Sequence, residues 1–324
     1  MRALADFTLH RPDSLAEAVA LGAASGARLL AGGTDLVPNL RRGLEQPASL
    51  VDLSRLRELR GLEQAADGSL AIGAGVTLAT LASDVLVACT LPALAEAARA
   101  VAANTHRASA TLGGNLCQDT RCVFYNQSEW WRATNGYCLK RNGTRCHVAP
   151  QGERCHAAFC SDIAPVLLVA GAEVQLESAS GSRTVPLAQI YRDDGAAHLA
   201  LRPGELLVRV RIPTRTPGER IGFAKSRVRG GMDFPLAAAA VALRLHDGRI
   251  ASLRAALSGT NSLPLLIAGT AALEGSAVDE ASTRKLRQLV LKQVQPMRST
   301  VTPPQYRREV AGVLAGRLLR ELAA

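Results

Sequence analysis

The chain has 324 residues, 48% of them hydrophobic and 20% charged. That is more than one average core needs, and it excludes a disordered or fibrous protein in favour of a globular chain of about two domains. The formal charge of +10 is mostly arginine scattered among acids along the whole length. A solvated basic surface is therefore the simplest reading, ahead of an anionic cofactor, an acidic protein partner or a nucleic acid.

Along the chain, MRALADFTLH has no apolar stretch of the secretory kind and no later run is long enough to span a bilayer, so a cytoplasmic chain with no membrane partner is expected. Residues 13–25 open with capping Asp and Ser and carry apolar residues at helical spacing. A short strand and a double-glycine turn follow, leading into a second short helix. Residues 49–79 read as strands separated by turns, with SLAIGAGVTLATL the longest, and 91–103 as an alanine-rich helix. A second small-residue turn follows at 108–116. Periodicity then disappears from Cys117 to Cys160, where six of the 11 aromatics gather, including both tryptophans. Helix and strand return after 161, and 204–213 alternates as a strand. The Pro-containing link PTRTPGER puts a domain boundary near 215, before a further strand-rich stretch and two helices at about 279–294 and 304–322.

Gly32-Gly33-Thr34-Asp35 and Gly113-Gly114-Asn115 are the first elements that suggest chemistry. Paired glycines permit positive φ and let backbone N–H groups approach an anion such as a pyrophosphate. Thr34, Thr111 and Asn115 add side-chain hydrogen bonds. Neither loop has the GxGxxG spacing and neither carries a P-loop lysine, so Rossmann and NTPase readings are disfavoured, and either loop alone is usually just a turn.

Taken together and in order, LLAGGTDLVPNLR, TLGGNLCQ, SDIAPVLLVAGAEV and FAKSRVRGGMDFPLAAAAVAL resemble the FAD-binding subunit of the molybdenum hydroxylase family, which includes xanthine dehydrogenase and carbon monoxide dehydrogenase. The resemblance spans nearly the whole chain. It implies an α+β protein. An FAD-binding domain of the PCMH type, residues 1–215, consists of two α/β subdomains (about 1–55 and 56–215). A C-terminal domain of antiparallel sheet and helices covers 216–324. Carried over residue by residue, it implies that Leu29, Leu30, Ala31, Gly32, Gly33, Thr34, Asp35 and Leu36 form one cofactor loop. Thr111, Leu112, Gly113, Gly114 and Asn115 form the other. Val101 is an apolar cofactor contact, Asp162 bonds the flavin side of the cofactor, and Lys225 lies near its ring. The competing readings are a helix N-cap for Asp162 and an ordinary surface lysine for Lys225.

In most of the family the second glycine loop and the following Asp are close together. Here Asn115 and Asp162 are 47 positions apart, and the extra segment, about 116–161, holds six of the seven cysteines. In a cytoplasmic chain such a cluster points to metal rather than disulfides. Zinc sites usually show CxxC pairs, and none is present, whereas a 4Fe-4S cluster accepts four thiolates from loops of irregular spacing. Cys122, Cys138, Cys146 and Cys155, with 15, seven and eight residues between them, resemble the extra cluster motif of the branch of the family that removes the phenolic hydroxyl of 4-hydroxybenzoyl-CoA. On that reading Cys117 and Cys160 border the insertion, six Lys or Arg against three acids offset the cluster's charge, and Phe124, Tyr125, Trp130 and Trp131 exclude water. His147 and His156 follow cysteines, with hydrogen-bonding or surface roles weighed ahead of ligation.

The resemblance implies an electron-transfer flavoprotein carrying FAD and a 4Fe-4S cluster, with no substrate chemistry of its own. Its partners would be a small 2Fe-2S subunit, a large molybdenum-cofactor subunit and a ferredoxin-like donor, in a heteromer expected to be a dimer of heterotrimers, with no nucleic acid involved. Two alternatives stand beside this: an NAD-linked xanthine or CO dehydrogenase-type flavin subunit with a structural zinc insertion, and a nucleic-acid-binding iron–sulfur protein motivated by the charge.

Overall fold

The computed structural model describes residues 4–324. The first unit runs β1 (Thr8–His10), α1 (Leu15–Gly22), β2 (Ala27–Leu30), α2 (Leu36–Arg41) and β3 (Ser49–Asp52). Its three strands form a parallel sheet in the order β1-β3-β2. The Ser14 hydroxyl caps α1 by accepting from the Glu17 N–H at 3.2 Å. Ala18, Val19 and Val51 then close a small core with Leu56, Leu59, Leu206 and Val208.

The second unit contains β4 (Leu62–Gln64), β5 (Leu70–Gly73), α3 (Leu78–Ser83), α4 (Val85–Thr90), α5 (Pro92–Ala100), α6 (Asn104–Ser109) and α7 (Leu112–Leu116). After α8 (Glu129–Thr134) in the insertion come α9 (Ile163–Val169), β6 (Glu173–Ser178), β7 (Gly181–Pro186) and β8 (Leu206–Ile212). The five strands form an antiparallel sheet, β4-β5-β8-β6-β7. One expectation fails here: the strand read across SLAIGAGVTLATL ends at Gly73, and its second half is α3. A Cβ on Gly73 would lie 2.2 Å from the Leu59 carbonyl, so the backbones touch and the chain turns away. Thr77 then caps the helix, its hydroxyl accepting from the Thr80 N–H at 3.1 Å.

The third unit is a four-stranded antiparallel sheet, β12-β11-β10-β9, made of β9 (Glu219–Ser226), β10 (Ala237–His246), β11 (Arg249–Ser258) and β12 (Leu265–Leu266), followed by α10 (Glu280–Gln293) and α11 (Pro304–Ala323). Strand periodicity makes β10 the wall between two cores. Ala240 and Ala242 belong to the main core shared with α5 and α9, while Ala237, Ala239, Val241 and Leu243 face the core under α10 and α11. Small side chains let both layers pack closely, and this carries Lys225 on β9 up to the start of α9. The mixed α+β class holds.

Candidate functional site

A groove of about 1500 Å³ runs past the β2–α2 turn, residues 74–77, the start of α7, Asp162 at the start of α9 and the loop before β10. Drug-sized ligands fill roughly 300–1,000 Å³, so this groove suits an extended ligand. All of Leu29 to Leu36 line it. Gly33 has φ +69°, and a Cβ on Gly32 would lie 1.9 Å from the Ser109 carbonyl. The first loop therefore rests directly on the backbone that leads into the second. Among the described residues, the N–H groups of Gly32, Gly33, Thr34 and Asp35 have no acceptor, so they are free to bind an anion.

The second loop differs. The Leu112 N–H donates to the Val76 carbonyl (2.9 Å), Gly113 to Ala74 (2.8 Å), Asn115 to the Thr111 carbonyl (2.9 Å) and Gly114 to the Thr111 hydroxyl (3.1 Å). From Leu112 to Asn115 the amides are thus taken up by the protein itself, whereas those of Gly32 to Asp35 are not. Thr111, Gly113, Gly114 and Asn115 line the groove, but the Leu112 side chain is wholly buried in the core and does not. Asn115 is tied to α9, its Oδ1 accepting from the Ser161 hydroxyl at 2.6 Å.

Asp162, Lys225 and Val101, far apart in sequence, meet at one wall. Lys225 Nζ donates to Asp162 Oδ2 at 2.6 Å and to the carbonyl of Ala100, next to Val101, at 3.0 Å. Both charged side chains are nearly inaccessible, at 5% and 3% exposure, so Lys225 is not a surface lysine. Asp162 does occupy the N-cap position but makes no capping bond; Ser161 Oγ accepts from the Ala164 N–H instead. Burial pushes the Asp162 carboxyl up to about 6, with Lys225 offsetting part of that rise. Its Oδ1 is buried without a partner, so the groove wall offers an acceptor to a donor on a bound cofactor. Val101 lines the groove beside this pair.

Three further residues at the groove carried no local sequence signal. Arg121 is buried, ion-paired with Asp35, and stacked 4.9 Å from the Phe234 ring. His106 presents a buried Nδ1 without a partner. Gln118 lines the groove with Cys117 and Cys160, whose thiols burial pushes up to about 12 and about 11. These two cysteines therefore face the groove, apart from the other four of the insertion.

Cys122, Cys138, Cys146 and Cys155, all buried, line a second cavity with Phe124, Tyr125, Leu139, Lys140, His147 and Ala157. The ends of the insertion are paired, Arg121 and Ala158 exchanging backbone bonds of 2.7 and 2.8 Å. Among the described residues, one backbone N–H donates to a sulfur of the set, that of Ala157 to Cys155 Sγ at 3.4 Å. Cys146, donated to by the Cys155 thiol, is lowered to about 5, while Cys155 is raised by the shared proton and by burial. The cavity is about 10 Å³, roughly one water. No three His, Cys, Asp or Glu side chains among the described residues gather closely enough to hold a single metal ion.

Two details of the insertion bear on the expectations. Trp130 is 74% exposed and shields nothing, whereas Trp131 packs on Phe124 with ring centroids 6.1 Å apart. His147 stacks on Phe124 at 5.1 Å, and its Nε2 bonds the Tyr137 carbonyl, which is the hydrogen-bonding role weighed ahead of ligation.

Fold and groove together define a mixed α+β protein with one long cofactor-sized groove, and comparison with known proteins gives the family. The FAD binding domain in molybdopterin dehydrogenase matches residues 5–215, and the CO dehydrogenase flavoprotein C-terminal domain matches 222–322. The carbon monoxide dehydrogenase medium chain of Afipia carboxidovorans is 30% identical over 98% of this chain and 97% of its own. The xanthine dehydrogenase FAD-binding subunit of Escherichia coli is 28% identical over 97% and 95%. Among solved structures, CO dehydrogenase from Oligotropha carboxidovorans superposes with a TM-score of 0.82, at 27% identity over 99% of both chains. Quinoline 2-oxidoreductase from Pseudomonas putida superposes with 0.78, at 26% identity over 99% and 98%. The chain belongs to the FAD-binding subunits of the molybdenum hydroxylase family; it is an oxidoreductase subunit that binds FAD. No helix among the described residues is long and apolar enough to cross a membrane.

Proposed function

We propose that this chain is the flavin subunit of a 4-hydroxybenzoyl-CoA reductase-type enzyme, passing electrons between a 4Fe-4S cluster on Cys122, Cys138, Cys146 and Cys155 and FAD in the groove. The observation that carries it is the convergence of these four cysteines, and not Cys117 or Cys160, on one buried cavity. Hydrogen bonds to sulfur and burial are the protein's means of holding a cluster and setting its potential. When bound, the flavin exchanges electrons singly or in pairs and the cluster one at a time, which makes the flavin a junction between carriers.

The chain's own residues bind and orient. The free amides of Gly32 to Asp35 would hold the anionic diphosphate, Gly113 and Gly114 would leave it room, and Val101 would pack against an apolar part of the cofactor. Asp162 Oδ1 accepts from the flavin end, with Lys225 keeping the carboxylate oriented. Phe124 and Tyr125 keep water from the thiols. A small 2Fe-2S subunit and a large molybdenum-cofactor subunit complete the enzyme in the cytoplasm, in a dimer of heterotrimers, and a ferredoxin-like donor supplies electrons.

A second reading is favoured by the relatives, which are named carbon monoxide and xanthine dehydrogenase subunits. In it, electrons leave through FAD to NAD and the insertion is held by zinc. The absence of CxxC pairs speaks against zinc. EPR of the anaerobically purified, reduced protein separates the two. A cluster signal that disappears in Cys138→Ala or Cys146→Ala while FAD stays bound supports the first; zinc in place of that signal supports the second.

A further inference from the structure

Four basic side chains are buried at the seam between the insertion and the rest of the molecule, and three have carboxylate partners. Arg121 pairs with Asp35, Arg132 with Glu129 and Lys140 with Asp119. Arg307 of α11 is wholly buried and has no acidic partner among the described residues. Its guanidinium is held by neutral oxygens alone: Nε donates to the Leu236 carbonyl (3.3 Å), Nη1 to the Met297 carbonyl (3.0 Å) and the Ser299 hydroxyl (3.3 Å), and Nη2 to the Gly259 carbonyl. A buried charge without a counter-ion is costly, and carbonyl dipoles offset only part of that cost.

The same bonds lead to the thiols. The Val123 N–H, next to Cys122, donates to the Ser299 carbonyl at 2.8 Å, and the Gly259 N–H donates to the carbonyl of Phe159, next to Cys160, at 2.7 Å. Arg307 is thus bonded to the segments that pair with the neighbours of Cys122, which lines the thiol cavity, and of Cys160, which lines the groove. Cys122 is one of the four cavity thiols, which together would be anionic around a metal centre. We propose that Arg307 is the built-in counter-charge of the thiolate-bound centre and holds its reduction potential up. This rests on the cluster reading above. A fixed positive charge favours the reduced, more negative form, and a dry, low-dielectric site transmits it strongly. Arg307 is a positioning residue, since it touches no ligand sulfur.

The test is an EPR-monitored redox titration of the anaerobically purified complex, with iron and sulfide measured in each sample. Arg307→Gln, which keeps hydrogen bonds but not charge, is expected to lower the cluster midpoint by at least the one-electron equivalent of a tenfold change, about 59 mV. Arg307→Lys keeps the charge and should stay within a twofold equivalent of wild type. Ser299→Asp, which neutralises Arg307 in place, should lower the midpoint like Gln and decides the matter even where the Gln variant does not fold. An unchanged midpoint in Gln or Asp variants with full iron and sulfide, or an equal fall in the Lys variant, overturns the proposal and leaves the cluster reading intact. Wild-type protein without iron overturns the cluster reading itself.

Discussion

The groove and the thiol cavity are built in opposite ways. The groove belongs to the scaffold: its floor is backbone, and its defining contact is Gly32 pressed on the Ser109–Ala110 peptide. The cavity belongs to a loop with one short helix, α8, and is held by side chains reaching across sequence, Arg132 to the carbonyls of Gln127, Arg42 and Gly43 and Lys140 to Asp119 and Thr120. A site made of backbone tolerates surface drift but not an added methyl group. One made of buried ion pairs tolerates methyl groups but not lost charge.

The largest break expected from this contrast is at Arg132. Arg132→Met takes the donor from the Gln127, Arg42 and Gly43 carbonyls, at a cost of roughly 1–3 kcal/mol for each one left unsatisfied, read as protease sensitivity confined to 117–160 with FAD still bound. The groove should respond to pH through Asp162. Its carboxyl is raised in the folded protein, so the folded state binds more protons than the unfolded one between about pH 4 and 6. Stability measured by urea unfolding should therefore fall by roughly 3 kcal/mol as pH rises through that window, and Asp162→Asn should remove this slope. Gly32→Ala, forced against the Ser109 carbonyl, should cost about 1–3 kcal/mol and release FAD while leaving insertion metal untouched, the reverse of the cysteine variants. Trp130→Ala is the smallest, within about 0.5 kcal/mol, because its ring faces solvent.

What could be read from sequence follows the same division. Periodicity, caps and glycine pairs are local, so α1, α5, β8, α10 and α11 lie where spacing puts them; of the residues the resemblance singles out, the first loop, Val101, Asp162 and all of the second loop but Leu112 line the groove, while Lys225 does not line it and reaches it only through its bond to Asp162. SLAIGAGVTLATL misled because its apolar run ignores the close approach of Gly73 to Leu59. The second loop's spent amides, the partnerless His106 Nδ1 and the role of Arg121 depend on Val76, Ala74, Asp35 and Phe234, none adjacent in sequence. Trp130 and Trp131 are neighbours in one helix with opposite surroundings, solvent for the first and Phe124 for the second, and composition cannot separate them. Arg307 sits in no motif at all, and only packing brings it to Ser299 and Gly259.

The central claim is that one chain carries two cofactors in two independently built sites. Iron, acid-labile sulfide, zinc and FAD counted per chain after strictly anaerobic purification test it most directly. The expected result is about four iron and four sulfide with one FAD, and in Cys146→Ala the iron gone but the flavin kept. One zinc without iron, or full iron in Cys146→Ala, would contradict it.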